Sequence, residues 1–153
     1  MTATFTESEM AAWGGFLTVY GRMDRRIEHH LQEEFGVSHV EFEILLRLTW
    51  SGDGRMRLND LAEGSVLSRS GVSRAVDRLR AGGLVARSVA AEDRRGAVIE
   101  LTEAGRRLFD RAMSAHVDLV RREFLAALSP AEQAELARLL GAVKTHQDRP
   151  PVR

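Results

Sequence analysis

Apolar residues recur every three or four positions through the first part of the chain, which is the spacing of one face of a long α-helix. The run follows Thr6-Glu7-Ser8-Glu9, in which the threonine and the last glutamate have the spacing of a capping box. Gly36 is placed to end this helix, because glycine readily takes the left-handed conformation found at helix ends. The periodic positions are Trp13, Phe16, Leu17, Tyr20, Met23, Ile27, Leu31 and Phe35.

A second capping box, Ser38-His39-Val40-Glu41, predicts a shorter helix with apolar residues on one face. The polar stretch 51–54 ends that helix and forms a loop. Met56 and Leu58 follow the loop and are predicted to belong to a very short strand.

Two further helices are predicted between residues 59 and 82. The first is short and covers 59–66. Ser68 or Ser70 caps the second, and Gly82-Gly83 ends it. Its apolar positions follow the spacing i, i+3, i+4, i+7 and are Val72, Ala75, Val76 and Leu79.

The remaining chain predicts a β-hairpin and two helices. Residues 84–89 and 97–101 have the pattern of two strands, joined by the charged loop 90–96. Thr102 caps a long helix with two apolar stripes, and Ser129-Pro130-Ala131-Glu132 combines three signals for the start of the last helix.

These elements predict a mainly α fold with one small β-hairpin. A helix that is apolar on two faces needs two partners. One core of a 153-residue chain has difficulty in covering all the apolar stripes of the first and last helices. We therefore expect the helices at both ends to pack against a second copy of the chain; an intramolecular bundle is the alternative.

Composition excludes several classes of site. The chain has no cysteine, which excludes disulfides, thiolate metal ligands, catalytic thiols and thiol-based redox sensing. No apolar run is long enough for a membrane span, and the start lacks the basic region of a signal peptide. These features lead us to expect a cytoplasmic protein.

The net charge of zero conceals an uneven distribution. Residues 46–95 hold 10 arginines and 6 acidic residues, a net charge of +4, whereas residues 1–45 carry −5. A basic middle third between more acidic flanks indicates a local anion site; an unevenly charged surface without function is the alternative.

The helix that begins near residue 68 has a polar face suited to a DNA major groove. Arginine can bind guanine edges in a bidentate manner, and serine can contact bases or phosphates. The residues on this face are Arg69, Ser70, Ser73, Arg74, Asp77 and Arg78.

The hairpin loop adds a second basic element, Glu92-Asp93-Arg94-Arg95-Gly96. Adjacent arginines on a turn can enter the minor groove, where negative potential is concentrated. Asp93 fits this role if it holds one guanidinium in a fixed orientation.

The order of these features resembles the multiple-antibiotic-resistance regulator (MarR) family of winged helix-turn-helix repressors. The resemblance covers nearly the whole chain, and residues 93–105 are its most specific part. The matching stretches are Leu58-Asn-Asp-Leu-Ala62, residues 68–79, Gly83-Leu-Val-Ala-Arg87, Asp93-Arg-Arg-Gly96 and Leu101-Thr-Glu-Ala-Gly105. The chain departs from the family at Ser65 and Val66, where an apolar residue and a turn glycine are usual.

The resemblance implies a role for each residue of the basic segment. Ser70, Ser73 and Arg74 would approach base edges, with Arg69 and Arg78 near the DNA backbone. Arg95 would enter the minor groove, supported by Asp93, with Arg94 beside it. Residues 1–36 and 103–147 would form the dimerisation region, 37–102 the DNA-binding lobe and 148–153 a flexible tail.

The resemblance also implies a dimer that reads an inverted-repeat operator in double-stranded DNA and is released by a small ligand, often an aromatic or phenolic anion. Five aromatic residues are placed to line the ligand pocket, and packing in the dimer core is the alternative for each of them. They are Trp13, Phe16, Tyr20, Phe42 and Trp50.

Two other classes of function receive less support from the residues. His29 and His30 lie one turn from Glu33 and Glu34, but such pairs usually lie on a solvated face, so we predict neither a metal site nor a cofactor. The sequence shows no nucleophile and base at a meaningful spacing, so nothing in it indicates an enzyme. A winged-helix module that binds protein instead of an operator remains the alternative function.

Overall fold

The computed structural model describes residues 4–63, 68–89 and 97–148. Within these ranges it contains six α-helices, one 3-10 helix and a small antiparallel sheet. The elements, in chain order, are α1 (Glu7–Phe35), α2 (His39–Trp50), β1 (Arg55–Arg57), α3 (Leu58–Glu63), α4 (Arg69–Ala81), β2 (Val85–Val89), β3 (Ala97–Leu101), α5 (Glu103–Glu123), the 3-10 helix (Leu125–Ala127) and α6 (Pro130–Gln147). The predicted fold, mainly α with a small β element, is confirmed.

The predicted capping boxes explain where three helices begin. At the start of α1, the Thr6 hydroxyl accepts a hydrogen bond from Glu9 N–H, and the Glu9 carboxylate accepts one from Thr6 N–H. Ser38 and Ser129 make the same reciprocal arrangement at the starts of α2 and α6. Gly36 ends α1 in the left-handed conformation, with φ of 68°.

The predicted hairpin is confirmed as β2 and β3, which pair from Val85 opposite Leu101 to Val89 opposite Ala97. The prediction for the first strand needs a correction, because Leu58 begins α3 and the strand is Arg55–Arg57. This strand pairs with the other edge of β3, so the sheet has the order β1-β3-β2. Met56 pairs with Ile99, which lies 43 positions later in the chain. Because the pairing partner is so distant, local spacing could not set the limits of β1.

The chain forms two compact units, Met1–His116 and Val117–Arg153. In the first unit the core lies among α2, α3, α4, the C-terminal part of α1 and the sheet. The Phe42 ring stacks on Phe109, with ring centroids 5.5 Å apart. Side chains that are at least 98% buried include Leu31, Phe42, Leu45, Leu48, Leu61, Val72, Val76, Leu79 and Ile99.

The second unit contains the end of α5, the 3-10 helix and α6. The Gln133 side-chain amide donates to the carbonyls of Leu125 and Leu128, which fixes the 3-10 turn against the start of α6. No residue of α6 is buried. No helix in the described part of the chain has both the length and the apolar character that a bilayer span requires.

Candidate nucleic-acid interface

Helix α4 separates apolar and polar residues on opposite faces. Its apolar residues Val72, Ala75, Val76 and Leu79 are at most 2% exposed. Arg69, Ser70, Arg74 and Arg78 are exposed, and Ser73 is half-buried. The five predicted contact residues of α4 thus lie outside its buried apolar face, on the side that is open to solvent.

The N-terminus of α4 begins at Ser68. The Ser68 hydroxyl accepts a hydrogen bond from Gly71 N–H at 3.3 Å, which satisfies one of the free amides of the first turn. Ser68 and not Ser70 is therefore the cap, and its Oγ lies 3.1 Å from the Ser70 Oγ. This leaves Ser70 in the first turn of α4, on its exposed side.

Helix α2 makes one set of polar contacts with α3 and one with α4. The Arg47 guanidinium donates to the carbonyls of Leu61 and Asp60 at 2.5 and 2.8 Å, and so satisfies the C-terminal end of α3. The Nε–H of Arg78 donates to Oε1 of Glu41 at 2.5 Å, which ties α4 to the first turn of α2. Both short helices are thus attached to one supporting helix.

Thr102 and Gly105 attach the other end of α4 to α5. The Thr102 hydroxyl lies 2.8 and 2.9 Å from the carbonyls of Gly83 and Leu84, and it accepts a hydrogen bond from Gly105 N–H at 3.0 Å. A Cβ at position 105 would overlap the Leu84 carbonyl oxygen and lie 2.8 Å from Leu101 Cδ1. Only glycine therefore permits this close approach of the start of α5 to the segment that precedes β2.

Part of the predicted interface lies outside the described residues. This applies to Asp93, Arg94 and Arg95 at the hairpin tip and to the turn that contains Ser65 and Val66. The two described strands place the ends of the hairpin, since Val89 pairs with Ala97.

The five predicted pocket aromatics do not gather at one place. Trp13, Phe16 and Tyr20 form a stacked row along α1, with ring centroids 5.9 and 6.1 Å apart and exposures of 49–55%. Phe42 is 2% exposed and packs in the core of the single chain, whereas the stated alternative was packing in the dimer core. Its ring does not line an open pocket within one chain. Trp50 ends α2 and is 74% exposed.

A cleft of about 340 Å³ lies instead where the end of α1, the start of α2 and the end of α4 meet. The Glu41–Arg78 pair forms part of its wall, and none of the five aromatics lines it. Its other lining residues are Gln32, Gly36, Val37, Ser38, Leu79, Gly82 and Leu84.

Known proteins share the sequence pattern and the fold of this chain. The family model described as MarR family matches residues 35–96. The chain is 34% identical to AbsC, a MarR family transcriptional regulator from Streptomyces coelicolor; the match covers 95% of this chain and 98% of AbsC, with a TM-score of 0.85. The chain belongs to the MarR family of transcriptional regulators.

Two other similar proteins are also described as transcriptional regulators. Sco3205, a MarR family transcriptional regulator from Streptomyces coelicolor solved in complex with DNA, is 28% identical, with 97% of this chain and 93% of Sco3205 covered and a TM-score of 0.87. YfiV, an uncharacterized HTH-type transcriptional regulator of Bacillus subtilis, is 33% identical over 97 residues, which are 63% of this chain and 59% of YfiV. The chain therefore spans less than two thirds of the length of YfiV.

The MarR family model covers α2 to the hairpin, so it includes the whole of α4. The resemblance of the sequence to this family lies on the same segment and on the long helices that flank it. The similarity to AbsC extends the likeness through α1, α5 and α6. The prediction of a winged helix-turn-helix MarR fold is confirmed.

Two polar clusters in this MarR chain have no signal in the local sequence pattern. The capping-box spacing predicts the contact of Glu41 with Ser38 and gives no sign of Arg78, 37 positions later. His39 contacts Asp24 through Nδ1 at 2.9 Å and lies 3.8 Å from Glu43 through Nε2. The backbone N–H of His39 donates to the Glu28 carboxylate at 2.6 Å.

The predicted His/Glu pairs on α1 show one contact of the expected kind, in which His30 Nδ1 lies 3.3 Å from Glu34. Across the described residues, no group of three or more histidine, aspartate or glutamate side chains could hold a metal ion.

Proposed function

We propose that this MarR family member is a dimeric, sequence-specific DNA-binding regulator that represses transcription and is released by a small aromatic or phenolic ligand. The observation that carries the proposal is the division of α4 into a buried apolar face and an exposed face of arginine and serine. Helices of this kind bind in the major groove of DNA. The proposed action is binding, without catalysis, in the cytoplasm.

On DNA, each copy uses the exposed face of α4 for the major groove. Ser70, Ser73 and Arg74 contact base edges, and Arg69 contacts phosphates. Arg78 reaches a phosphate with the guanidinium nitrogens that Glu41 does not use. The hairpin tip places Arg95 in the minor groove, held by Asp93 and flanked by Arg94. The complex of Sco3205 with DNA supports this use of the fold.

The proposal of a dimer rests on apolar side chains exposed in each unit separately. Trp13, Phe16 and Tyr20 of α1 are about half exposed, and Leu139, Leu140 and Val143 of α6 are 46–54% exposed. Aromatic and aliphatic groups in such numbers mark a surface that a partner covers. Residues 1–36 and 103–147 therefore join two copies, and the lobes 37–102 read an inverted repeat with half-sites roughly 34–36 Å apart.

The proposed ligand binds beside the aromatic row of α1, at the junction between the two copies. Stacked rings favour a flat aromatic ligand over an aliphatic one. Of the five aromatics predicted for the pocket, Phe42 is buried and the other four are exposed. Among these four, Trp13, Phe16 and Tyr20 also lie in the stacked row of α1.

Arg74→Ala tests the DNA-binding part of the proposal. Genome-wide capture with the full-length protein first provides operator fragments, and fluorescence anisotropy then measures affinity for one of them. We expect a loss of roughly 10- to 100-fold, because a bidentate arginine–guanine contact contributes about 1–3 kcal/mol.

Arg121→Ala is the matched control, since it also removes one exposed arginine, and Arg121 lies near the end of α5 at 4.0 Å from Asp118. Equal affinities of wild type and Arg74→Ala for every captured fragment would contradict the proposal. Affinity of the wild type that does not fall between low and moderate salt would favour a protein-binding module instead.

A further inference from the structure

We infer that Glu41 is a positioning residue of the proposed DNA-binding site, and that it sets the orientation of α4 through Arg78. The inference rests on the proposed DNA-binding function and extends it to a residue outside α4. Glu41 is the buried charged residue of the described core, at 6% exposure.

Both carboxylate oxygens of Glu41 are used. Oε2 accepts a hydrogen bond from Ser38 N–H at 2.8 Å, which is the capping contact within α2. Oε1 accepts from the Nε–H of Arg78 at 2.5 Å, which is a contact with another helix. The first contact fixes the carboxylate relative to the start of α2, and the second then fixes α4 relative to that carboxylate.

The pair is asymmetric in its burial. The Glu41 side chain is 7% exposed, whereas that of Arg78 is 60% exposed. A buried carboxylate requires its partner, because an unpaired buried charge is strongly unfavourable. An exposed guanidinium has no such requirement, so the need for the contact lies on the side of Glu41. Burial of Glu41 therefore keeps Arg78, and with it the last two turns of α4, in one place.

The geometry also explains how Arg78 can serve two contacts. The bond to Glu41 uses Nε–H and leaves the two terminal amino groups of the guanidinium for another acceptor. A phosphate that binds these groups meets an arginine whose direction is already set. Preorganised groups bind more tightly because less conformational freedom is lost on binding.

The test uses the sign of an electrostatic effect. Neutralising a carboxylate close to DNA ordinarily strengthens binding, since it removes repulsion from phosphates. If Glu41 positions α4, the change Glu41→Gln weakens binding to the operator instead. It leaves binding to unrelated DNA, which depends on charge more than on helix orientation, as strong as in the wild type or stronger.

We propose to measure affinity of the full-length protein for a captured operator fragment and for an unrelated duplex, each over a salt series. For Glu41→Gln we expect about tenfold weaker operator binding, and a smaller ratio between operator and unrelated DNA. The slope of log affinity against log salt should stay that of the wild type, because no phosphate contact is lost. Glu43→Gln is the matched control, since it neutralises another carboxylate of α2, two positions from Glu41 and therefore on a different face of the helix, at 3.8 Å from His39.

Arg78→Gln provides an independent measurement, because its exposed side chain can be changed with less risk to the fold. It should lower the operator affinity and also flatten the salt slope by about one phosphate contact. In the double variant the loss should be no larger than that of Arg78→Gln alone, since Glu41 acts through Arg78. An Nε–H resonance of Arg78 that is protected from exchange in the wild type and lost in Glu41→Gln would report the contact directly.

The inference is overturned if Glu41→Gln binds the operator as tightly as wild type or more tightly, as expected of Glu43→Gln. It is also overturned if the losses from Glu41→Gln and Arg78→Gln simply add. In both cases wild-type operator binding and its loss in Arg74→Ala would still stand, so the proposed function would survive. Failure of the wild type to bind any captured fragment would instead remove the proposed function itself.

Discussion

Helices α1 and α4 are both amphipathic, but they turn opposite faces to solvent. In α4 the apolar residues are buried and the arginines and serines are exposed. In α1 the aromatic residues of the first turns are exposed, and Ile27 and Leu31, near its C-terminal end, are its buried residues. An exposed basic face suits a polyanion, whereas an exposed aromatic face suits an apolar partner. The exposed faces of the two helices therefore suit two different kinds of partner.

The glycines of the two regions differ in the same way. Gly105 lies where a Cβ would overlap the backbone of Leu84. Gly14 and Gly15 in α1 have no atom within 4 Å of the position that a Cβ would take. The start of α5 is thus closely packed against the lobe that carries α4, while the outer side of α1 is open within one chain.

The largest expected effect is that of Gly105→Ala, which tests the packed side of this comparison. The new methyl group meets backbone atoms of Leu84, which cannot rotate away as a side chain can. We expect the free energy of unfolding to fall by about 3 kcal/mol. Urea denaturation followed by circular dichroism measures the change.

Gly15→Ala is the control on the open side, since it adds the same methyl group to another helix. Alanine favours a helix over glycine by up to about 1 kcal/mol, so stability should not fall. A loss in Gly15→Ala as large as in Gly105→Ala would show that close packing is no special property of the contact between α5 and the lobe.

The second prediction concerns the proposed partner of α1. Phe16 is 49% exposed and lies between Trp13 and Tyr20 in the stacked row, so Phe16→Glu places a charge at the centre of the apolar face. If a second copy covers this face, the dimer dissociation constant should rise at least about 30-fold, which corresponds to an anchor of roughly 2 kcal/mol. Sedimentation equilibrium over a range of protein concentrations measures the constant.

Thr18→Glu adds the same charge to an exposed polar position of α1 and should leave the dimer largely intact. Equal self-association of wild type and Phe16→Glu would contradict a dimer that uses this face. Loss of helix content in the variant at low protein concentration would instead indicate a folding role for Phe16.

Local signals in the sequence predicted the elements because local contacts form their ends. The capping boxes at Thr6, Ser38 and Ser129 are contacts between residues three positions apart, so their spacing was enough. The apolar face of α4 was likewise predicted residue by residue, since its period is set by the helix itself. The stretches that resemble the MarR family include residues 68–79, which form most of α4.

Contacts between distant residues were not predictable from these patterns. The position of Phe42 in the helical pattern is compatible with a pocket residue and with a core residue. Only its packing against Phe109 decides between these two roles. Glu41 reads as one half of a capping box, although its second oxygen binds Arg78. In both cases the partner comes from another element and is brought there by the fold.

The smallest expected effect comes from His116, which lies in α5 on the packed side of the comparison. Its ring lies against Phe42, with centroids 5.2 Å apart, and its Nδ1 is buried without a hydrogen-bond partner among the described residues. Burial lowers the pKa of His116 below its ordinary value of 6.5, and the nearby His39 and His30 lower it further. The lowered pKa keeps the ring neutral in the folded protein over a pH range in which the unfolded chain is protonated.

This difference sets the sign of a pH dependence. Below pH 6.5 the unfolded chain takes up a proton at His116 before the folded protein does, so the free energy of unfolding falls as the pH drops from 6.5 through the lowered pKa. Wild type should therefore lose stability in this window, and His116→Leu should lose less, because it removes the group that takes up the proton. His146→Gln, which changes an exposed histidine of α6, is the matched control. Urea denaturation at a series of pH values measures all three slopes, and identical slopes for wild type and His116→Leu would show that the buried ring does not carry the effect.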